Sequence, residues 1–301
     1  MSGSLLEIKK KIKGVNNTRK ITKAMQLVAA SKMKYFQDKA VTSKDFVSEL
    51  LQILEKNINE ELENTYTEQR EEGKVLFVLY TSDKGLCGPL NTKLINCLFR
   101  SNRWNELNND ERMLITIGKK SKAFADNNKI KTEKDFVGIP EKINHLDALK
   151  IVEKIISLWQ KKEVKEVVFI APHYKNSFTN YPVMKTFLPF SEKEIRKNLG
   201  LIKEQENSEE HKEGNNFMIF EPSPEVVLNR IYEFTIQAVF ISSFLELKAS
   251  EYSSRMIAMQ NATDAADKMI GELKRTFNKA RQAAITQEIA ELIGASMALE
   301  D

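Results

Sequence analysis

Cysteine, histidine and proline are scarce in this sequence, and each scarcity removes a class of function. The two cysteines, Cys87 and Cys97, fit a reducing compartment and do not form a zinc-type spacing. The three histidines, His145, His173 and His211, stand apart from one another and offer no ligand cluster, so no metal or cofactor site is expected. No run of about eighteen apolar residues occurs, so no segment is expected to span or insert into a bilayer. The opening MSGSLLEIKKKIKG lacks the apolar core of a secretory signal and the Arg/Ser-rich character of a transit peptide. A cytosol-like setting is the expectation. With 301 residues, 42% of them hydrophobic and 29% charged, there is material for one large domain or two.

Proline is absent from Ser4 to Asn59 and again after Pro224, and both stretches read as helix. In the first, Leu5, Ile8, Ile12 and Val15 step by helical spacing, and the pattern is expected to resume at Ile21, Met25 and Val28 after a phase shift near Thr18. Gly14 is the one weak point, marking a close contact, a bend, or ordinary helix packing. The net charge of +4 is unevenly spread. Ten Lys/Arg (positions 9, 10, 11, 13, 19, 20, 23, 32, 34 and 39) face only Glu7 and Asp38 in the first 39 residues. Such a stripe is a solvated face, an acidic-protein contact or a nucleic-acid contact. The only aromatic residues in that segment, Tyr35 and Phe36, stand together near its end between Lys34 and Lys39 and are not spread among the other basic residues, so nucleic acid is not expected as a partner.

The middle segment alternates strands and helices. Strands are expected at Lys74–Thr81, Arg112–Ile117, Glu166–Ala171, Val183–Phe190 and Phe217–Glu221. Helices are expected from the turn SDKGLCGP through Cys97, at Lys119–Asn127 and at Leu146–Trp159. This order implies a mainly parallel, Rossmann-like sheet covered by helices. The tract from Ser191 to Asn216, containing KEQENSEEHKEGNN, is too polar to fold alone and reads as a surface loop. The fold class is therefore α/β. A long antiparallel two-helix coiled coil, formed by residues 1–60 and 223–301, joins a central α/β domain over 73–222.

In the last segment Tyr252, Met256, Met259, Thr263, Ala266, Ile270, Leu273, Phe277, Ala280 and Ala284 alternate steps of four and three, the seam of a coiled coil. Continuing the register would require Gln287 and Glu291, and the seam stops. Beyond it, Ile285, Ile289, Leu292 and Ile293 take one side of the helix and alanines spread over the other. A helix apolar all round expects burial all round. The last segment also outreaches the first by roughly 30 Å at 1.5 Å per residue. The tip is thus expected to be enclosed by another chain, with Arg281, Gln282, Thr286, Glu288 and Glu291 as a polar group at the rim.

Four stretches carry a family resemblance: IKGVNNTRKITKAMQLVAASKM (Ile12–Met33), TSDKGLCGPLN (Thr81–Asn91), SSRMIAMQNATDAADKMI (Ser253–Ile270) and NKARQAAITQEIAELIGASMAL (Asn278–Leu299). Through them the chain resembles the gamma subunits of F-type ATP synthases, the central rotor shaft, over nearly its whole length. The resemblance implies a non-catalytic stalk that couples proton-driven rotation of a membrane ring to ATP synthesis in surrounding subunits. Its implied partners are the catalytic and non-catalytic ring subunits of the head, the epsilon subunit and the membrane rotor ring. Its implied place is peripheral, on the cytoplasmic face of a bacterial inner membrane. Carried over by position, Arg281 and Gln282 resemble a pair that hydrogen-bonds a loop of a catalytic subunit, with Thr286, Glu288 and Glu291 close by. Met25 and Arg255 resemble positions near the lower ring surface, where acidic loops push on the shaft. Catalytic, cofactor and metal residues are not implied. Two other readings stay open: a nucleotide-binding sheet domain using SDKGLCG as a phosphate loop, which lacks the glycine spacing of the known fingerprints, and a non-rotating coiled-coil scaffold.

Overall fold

The computed structural model describes residues 2–57, 65–140, 145–176, 179–191, 196, 221 and 223–300. The elements run α1 (Ser2–Asn57), β1 (Lys74–Tyr80), α2 (Leu90–Phe99), α3 (Asn102–Asn105), β2 (Arg112–Ile117), α4 (Lys119–Asn127), β3 (Lys134–Phe136), α5 (His145–Gln160), β4 (Val164–Asn176), β5 (Thr179–Leu188) and α6 (Pro224–Glu300). Two long helices and a mainly parallel sheet are as the sequence predicts. Strand β3 and helix α3, too short for periodicity to register, are additional. The polar tract expected as a loop and most of the strand expected at Phe217–Glu221 lie outside the described residues. Pro224 opens α6 at a position where its missing N–H costs nothing.

The chain divides into two compact units, one made of Met1–Ser31 with Arg255–Asp301 and the other of Lys32–Ser254. In the larger unit the sheet order is β3-β2-β1-β4-β5. β1 pairs in parallel with both β2 and β4, and β2 with β3, while β5 closes the edge antiparallel to β4. β4 extends past the expected Glu166–Ala171 at both ends, and β5 begins four residues before the expected Val183–Phe190 and ends at Leu188, so the two form a long hairpin. Alternation of side chains gives the sheet two buried faces. Leu76, Val78, Tyr80, Val167 and Phe169 pack with Val47, Leu51 and Leu54 of α1, Ile151, Ile155 and Trp159 of α5, and Phe240, Phe244 and Leu247 of α6. Val75, Phe77, Leu79, Val168 and Ile170 face Leu90, Leu94 and Leu98 of α2 and Trp104.

One turn on this sheet admits a single residue type. Gly118 joins β2 to α4 at φ 98°, and a Cβ there would stand 2.1 Å from the carbonyl oxygen of Thr81. Thr81 is itself fixed, its amide donating to Ile117 O at 2.7 Å and its hydroxyl to Ser121 Oγ at 2.9 Å. Gly118→Ala is expected to destabilise the larger unit by roughly 2 kcal/mol or more, read as a lowered urea midpoint.

The smaller unit is an antiparallel helical pair. Thr22 Oγ1 meets Thr263 Oγ1 at 2.8 Å, Arg19 Nη1 donates to Asp267 Oδ1 at 3.1 Å, and Gln26 Nε2 donates to Gln260 Oε1. Each advance along α1 is matched by an equal retreat along α6. The α6 seam is covered where the sequence places it: Met259, Thr263 and Ala266 are buried, and Met256, Ile270, Leu273, Phe277, Ala280 and Ala284 are half-buried.

The α1 side differs from expectation. There is no phase shift near Thr18. The three–four alternation continues from Leu5, Ile8, Ile12 and Val15 straight through Arg19, Thr22, Gln26 and Ala29, all half-buried or buried. Ile21 and Val28, expected in the seam, are exposed instead, and Met25 is half-buried at its margin. Polar residues can hold seam positions here because each finds a partner across the pair, which a hydropathy count cannot foresee. Gly14 marks neither a close contact nor a crowded crossing, since a Cβ there would have nothing within 4 Å. Gly14→Ala is therefore expected to stabilise the isolated chain by up to about 1 kcal/mol, seen as a raised thermal midpoint with unchanged helix content.

Candidate interaction surfaces on the helical pair

Among the described side chains, Ala284 is the last covered position of α6. Every side chain from Ile285 to Ile293 is exposed, and Ile285, Ile289, Leu292 and Ile293 are between 48% and 71% exposed. At about 100° per residue these four occupy one arc on the side of α6 opposite the seam. Carried residue by residue, the pairing register brings the first turn of α1 opposite Ala283–Ala284. The helix from Ile285 to Glu300 runs on roughly 24 Å beyond that point. So large an apolar face on one short segment is the mark of an interaction site.

The five polar residues predicted around this tip do not form one patch. Arg281 and Glu288 share one side of the helix, two turns apart. Gln282 and Thr286 share a second, where the Thr286 hydroxyl donates back to Gln282 O at 3.0 Å. Glu291 lies on the continuation of the seam face and accepts a hydrogen bond from Gln287 Nε2 at 2.8 Å. All five are exposed. They ring the helix, so a sleeve around it would meet polar contacts on several sides, not a single docked loop.

Met25 and Arg255 also lie in the smaller unit. Arg255 is buried, and by the pairing register it stands opposite about Ala30, roughly 8 Å along the axis from Met25. Its guanidinium is covered by its own chain and not presented as a free surface cation.

A second outward face escaped the sequence reading. Ile21, Leu27 and Val28 are 55–61% exposed and, with Ala24, lie on the side of α1 turned away from α6. They sit at the level where the seam is polar, so the usual arrangement is inverted there: hydrogen-bonded groups inside, aliphatic groups outside. Counting the strict repeat forward from Leu5, and not following hydrophobicity, would have found it. Lys20 and Lys23 flank this face, and Lys9, Lys10, Lys11 and Lys13 are exposed nearer the start of α1. Arg19 is a member of the stripe drawn into the seam, by Asp267. The basic stripe thus borders an aliphatic strip, a surface suited to an acidic protein segment with apolar side chains.

The SDKGLCGP turn in the larger unit is bound up with itself. Asn91 accepts from the Ser82 amide at 3.0 Å and donates to Ser82 Oγ and Cys87 Sγ. Asp83 Oδ1 accepts the amides of Lys119, at the start of α4, and of Gly138. A carboxylate therefore occupies the donors that a phosphate would use, and its charge would repel one. Cys87 is buried in this turn, and Cys97 is half-buried with its thiol pKa raised by burial, away from the reactive thiolate form. Among the described residues no group of three or more His, Cys, Asp or Glu is placed to hold a metal. No helix among them is long and apolar enough to cross a membrane.

The ATP synthase family profile matches residues 4–299. The ATP synthase gamma chain of Heliobacterium modesticaldum is 34% identical over 97% of this chain and 98% of its own. That of Clostridium novyi is 32% identical over the full length of both. In fold the chain resembles a subunit in the Euglena gracilis mitochondrial ATP synthase, OSCP/F1/c-ring, in rotational state 3. The TM-score is 0.69 and the identity 19%, over 99% of this chain and 95% of that one. A chain of the Tetrahymena thermophila mitochondrial ATP synthase central stalk and c-ring matches with a TM-score of 0.56 and 23% identity, covering 80% of this chain and 99% of that one. An unpartnered apolar tip, an outward aliphatic face beside a basic stripe and full-length similarity to gamma chains lead to one assignment: this chain belongs to the ATP synthase gamma chain family.

Proposed function

We propose that the chain works as a turning shaft whose two outward faces, the α6 tip and the Ile21–Val28 strip, bear on the surrounding head subunits of its ATP synthase. The observation that carries this is the exhaustion of the seam at Ala284 with the apolar arc continuing beyond it. Residues 1–60 and 223–301 form the shaft, and residues 73–222 form the foot toward the epsilon subunit and the membrane rotor ring. The foot stands at the cytoplasmic face of a bacterial inner membrane. ATP chemistry belongs to the catalytic partners, and no residue of this chain takes part in bond making.

Symmetry supplies the mechanism. An antiparallel pair of unequal helices has no threefold axis, so three identical sites placed around it cannot share the same surroundings. Each orientation favours a different conformation at each site, and turning the pair passes those preferences from site to site. The tip suits a bearing. Small alanines lie between the aliphatic positions, and the sequence beyond Phe277 has no aromatic residue to lock one angle. Lower down, Lys20 and Lys23 beside Ile21, Leu27 and Val28 give acidic lever loops both a charge to find and an apolar strip to push on, near Met25 and Arg255.

Rotation itself is tested by an engineered disulfide between the exposed mid-shaft face, at Ala24, and a catalytic subunit. Steady ATP turnover should fall at least about tenfold on oxidation and recover on reduction. Unchanged turnover would favour a static scaffold. Replacing Arg281 and Gln282 together by alanine should lower turnover of the assembled complex several-fold while leaving the melting curve of the isolated chain unmoved, because both side chains are exposed in it. Normal turnover in the complex would remove them from the bearing contacts.

A further inference from the structure

The β4–β5 hairpin outruns the sheet that supports it. Pairing of β4 with β1 ends at Leu79 opposite Ile170. Pairing with β5 continues outward through Ala171 opposite Val183 and His173 opposite Tyr181 to Asn176 opposite Thr179. The outer half is therefore a two-stranded ribbon, an arrangement marginal in water by itself. What holds it are side chains of the long helices within the same unit. The Tyr174 hydroxyl reaches Gln37 Oε1 of α1 at 3.4 Å, and Asn180 Nδ2 donates to Ser254 Oγ of α6 at 2.9 Å.

At the root of the ribbon four titratable groups converge from four elements: Lys44 of α1, His173 of β4, Lys185 of β5 and Glu246 of α6. The Glu246 side chain is only 6% exposed, with its Oε1 2.5 Å from Lys44 Nζ. Its other oxygen is 4.0 Å from His173 Nδ1, beyond hydrogen-bond reach. That nitrogen is buried and has no hydrogen-bond partner among the described residues. The imidazole packs against the Tyr181 ring, centroids 5.2 Å apart. Lys185 and Glu246 also line a cavity of about 30 Å³ walled by Phe169, Val183 and Val239, room for about one water. One carboxylate thus already answers to two lysines in a confined site, and a charged His173 would be a third cation sharing it.

We propose that this cluster is a proton-operated latch: protonation of His173 loosens the outer β4–β5 ribbon from α1 and α6. Burial first, then the charge of Lys185, hold the imidazole below its ordinary 6.5, with Glu246 pulling the other way and Lys44 adding to the depression. Burial lowers Lys185 as well. The sign follows. A neutral His173 favours the closed ribbon fully at pH values above 6.5. That contribution is lost as pH falls from there through the depressed value of the folded protein. The proposal does not depend on how the chain turns.

Hydrogen exchange of the full chain, corrected for intrinsic rates, tests it. Between pH 7.5 and 5.5, protection of residues 171–183 should fall at least about threefold relative to β1. In His173→Gln, which cannot charge, the ratio should stay flat. Lys185→Met, which removes a competing cation, should shift the fall to lower extent. A flat ratio in the wild type, or the same fall in His173→Gln, would overturn the latch. Should the glutamine variant fold poorly, the imidazole resonances of the wild-type protein decide: titration below pH 6.5 supports the latch, and titration at or above it removes the latch.

Discussion

The seam between α1 and α6 is the constraint on which the rest of the smaller unit depends. It buries a narrow stripe on each helix and leaves everything else on the surface, so whatever is apolar outside that stripe is committed to some other partner. On α6 the stripe stops at Ala284 while apolar residues continue. On α1 the stripe stays intact but turns polar between Arg19 and Gln26, and the aliphatic residues of that stretch face outward. Both departures expose hydrophobic surface, and both follow from the seam claiming fixed positions regardless of which residues occupy them.

Much of this was legible beforehand. The α6 seam could be written out to the residue because every one of its positions from Tyr252 to Ala284 is apolar, small or Thr263. Strands β1 and β2 and helix α4 were placed to within a residue because their apolar runs end at sharp turn signals. The α1 seam departs from the sequence expectation because hydropathy is a poor guide to geometry there: the pattern points to Ile21 and Val28, whereas Arg19, Thr22 and Gln26 hold the seam. Their burial depends on Asp267, Thr263 and Gln260, more than two hundred residues away in sequence. No local window contains that information. The same holds for the outer β4–β5 ribbon, whose polar residues extend as strand because α1 and α6 receive their side chains. For the contact residues, pattern gave position on the helix but not company: Arg281, Gln282, Thr286, Glu288 and Glu291 are neighbours in sequence and divided in space, and Arg255 is interior.

The larger unit is held differently. Its sheet has two buried faces, and one close approach in it joins the end of β1 to the turn after β2, where Gly118 and Thr81 meet. The loop that might have cradled a phosphate is closed by its own Asp83, Ser82 and Asn91. The unit thus offers rigidity where a nucleotide-binding relative of the same topology would offer an anion hole.

The pair of hydroxyls at Thr22 and Thr263 acts at a distance. An apolar seam alone can slip by a heptad at little cost, because one layer of aliphatics resembles the next. Slipping this one would set Thr22 against Ile270 or Met256 and part Arg19 from Asp267. The helices are therefore indexed, like a vernier clicked into a single notch. The notch lies some 30 Å from Ile285 along α6, yet it settles how many turns of bare helix stand clear of the companion strand, and hence how deep any socket must be to receive them.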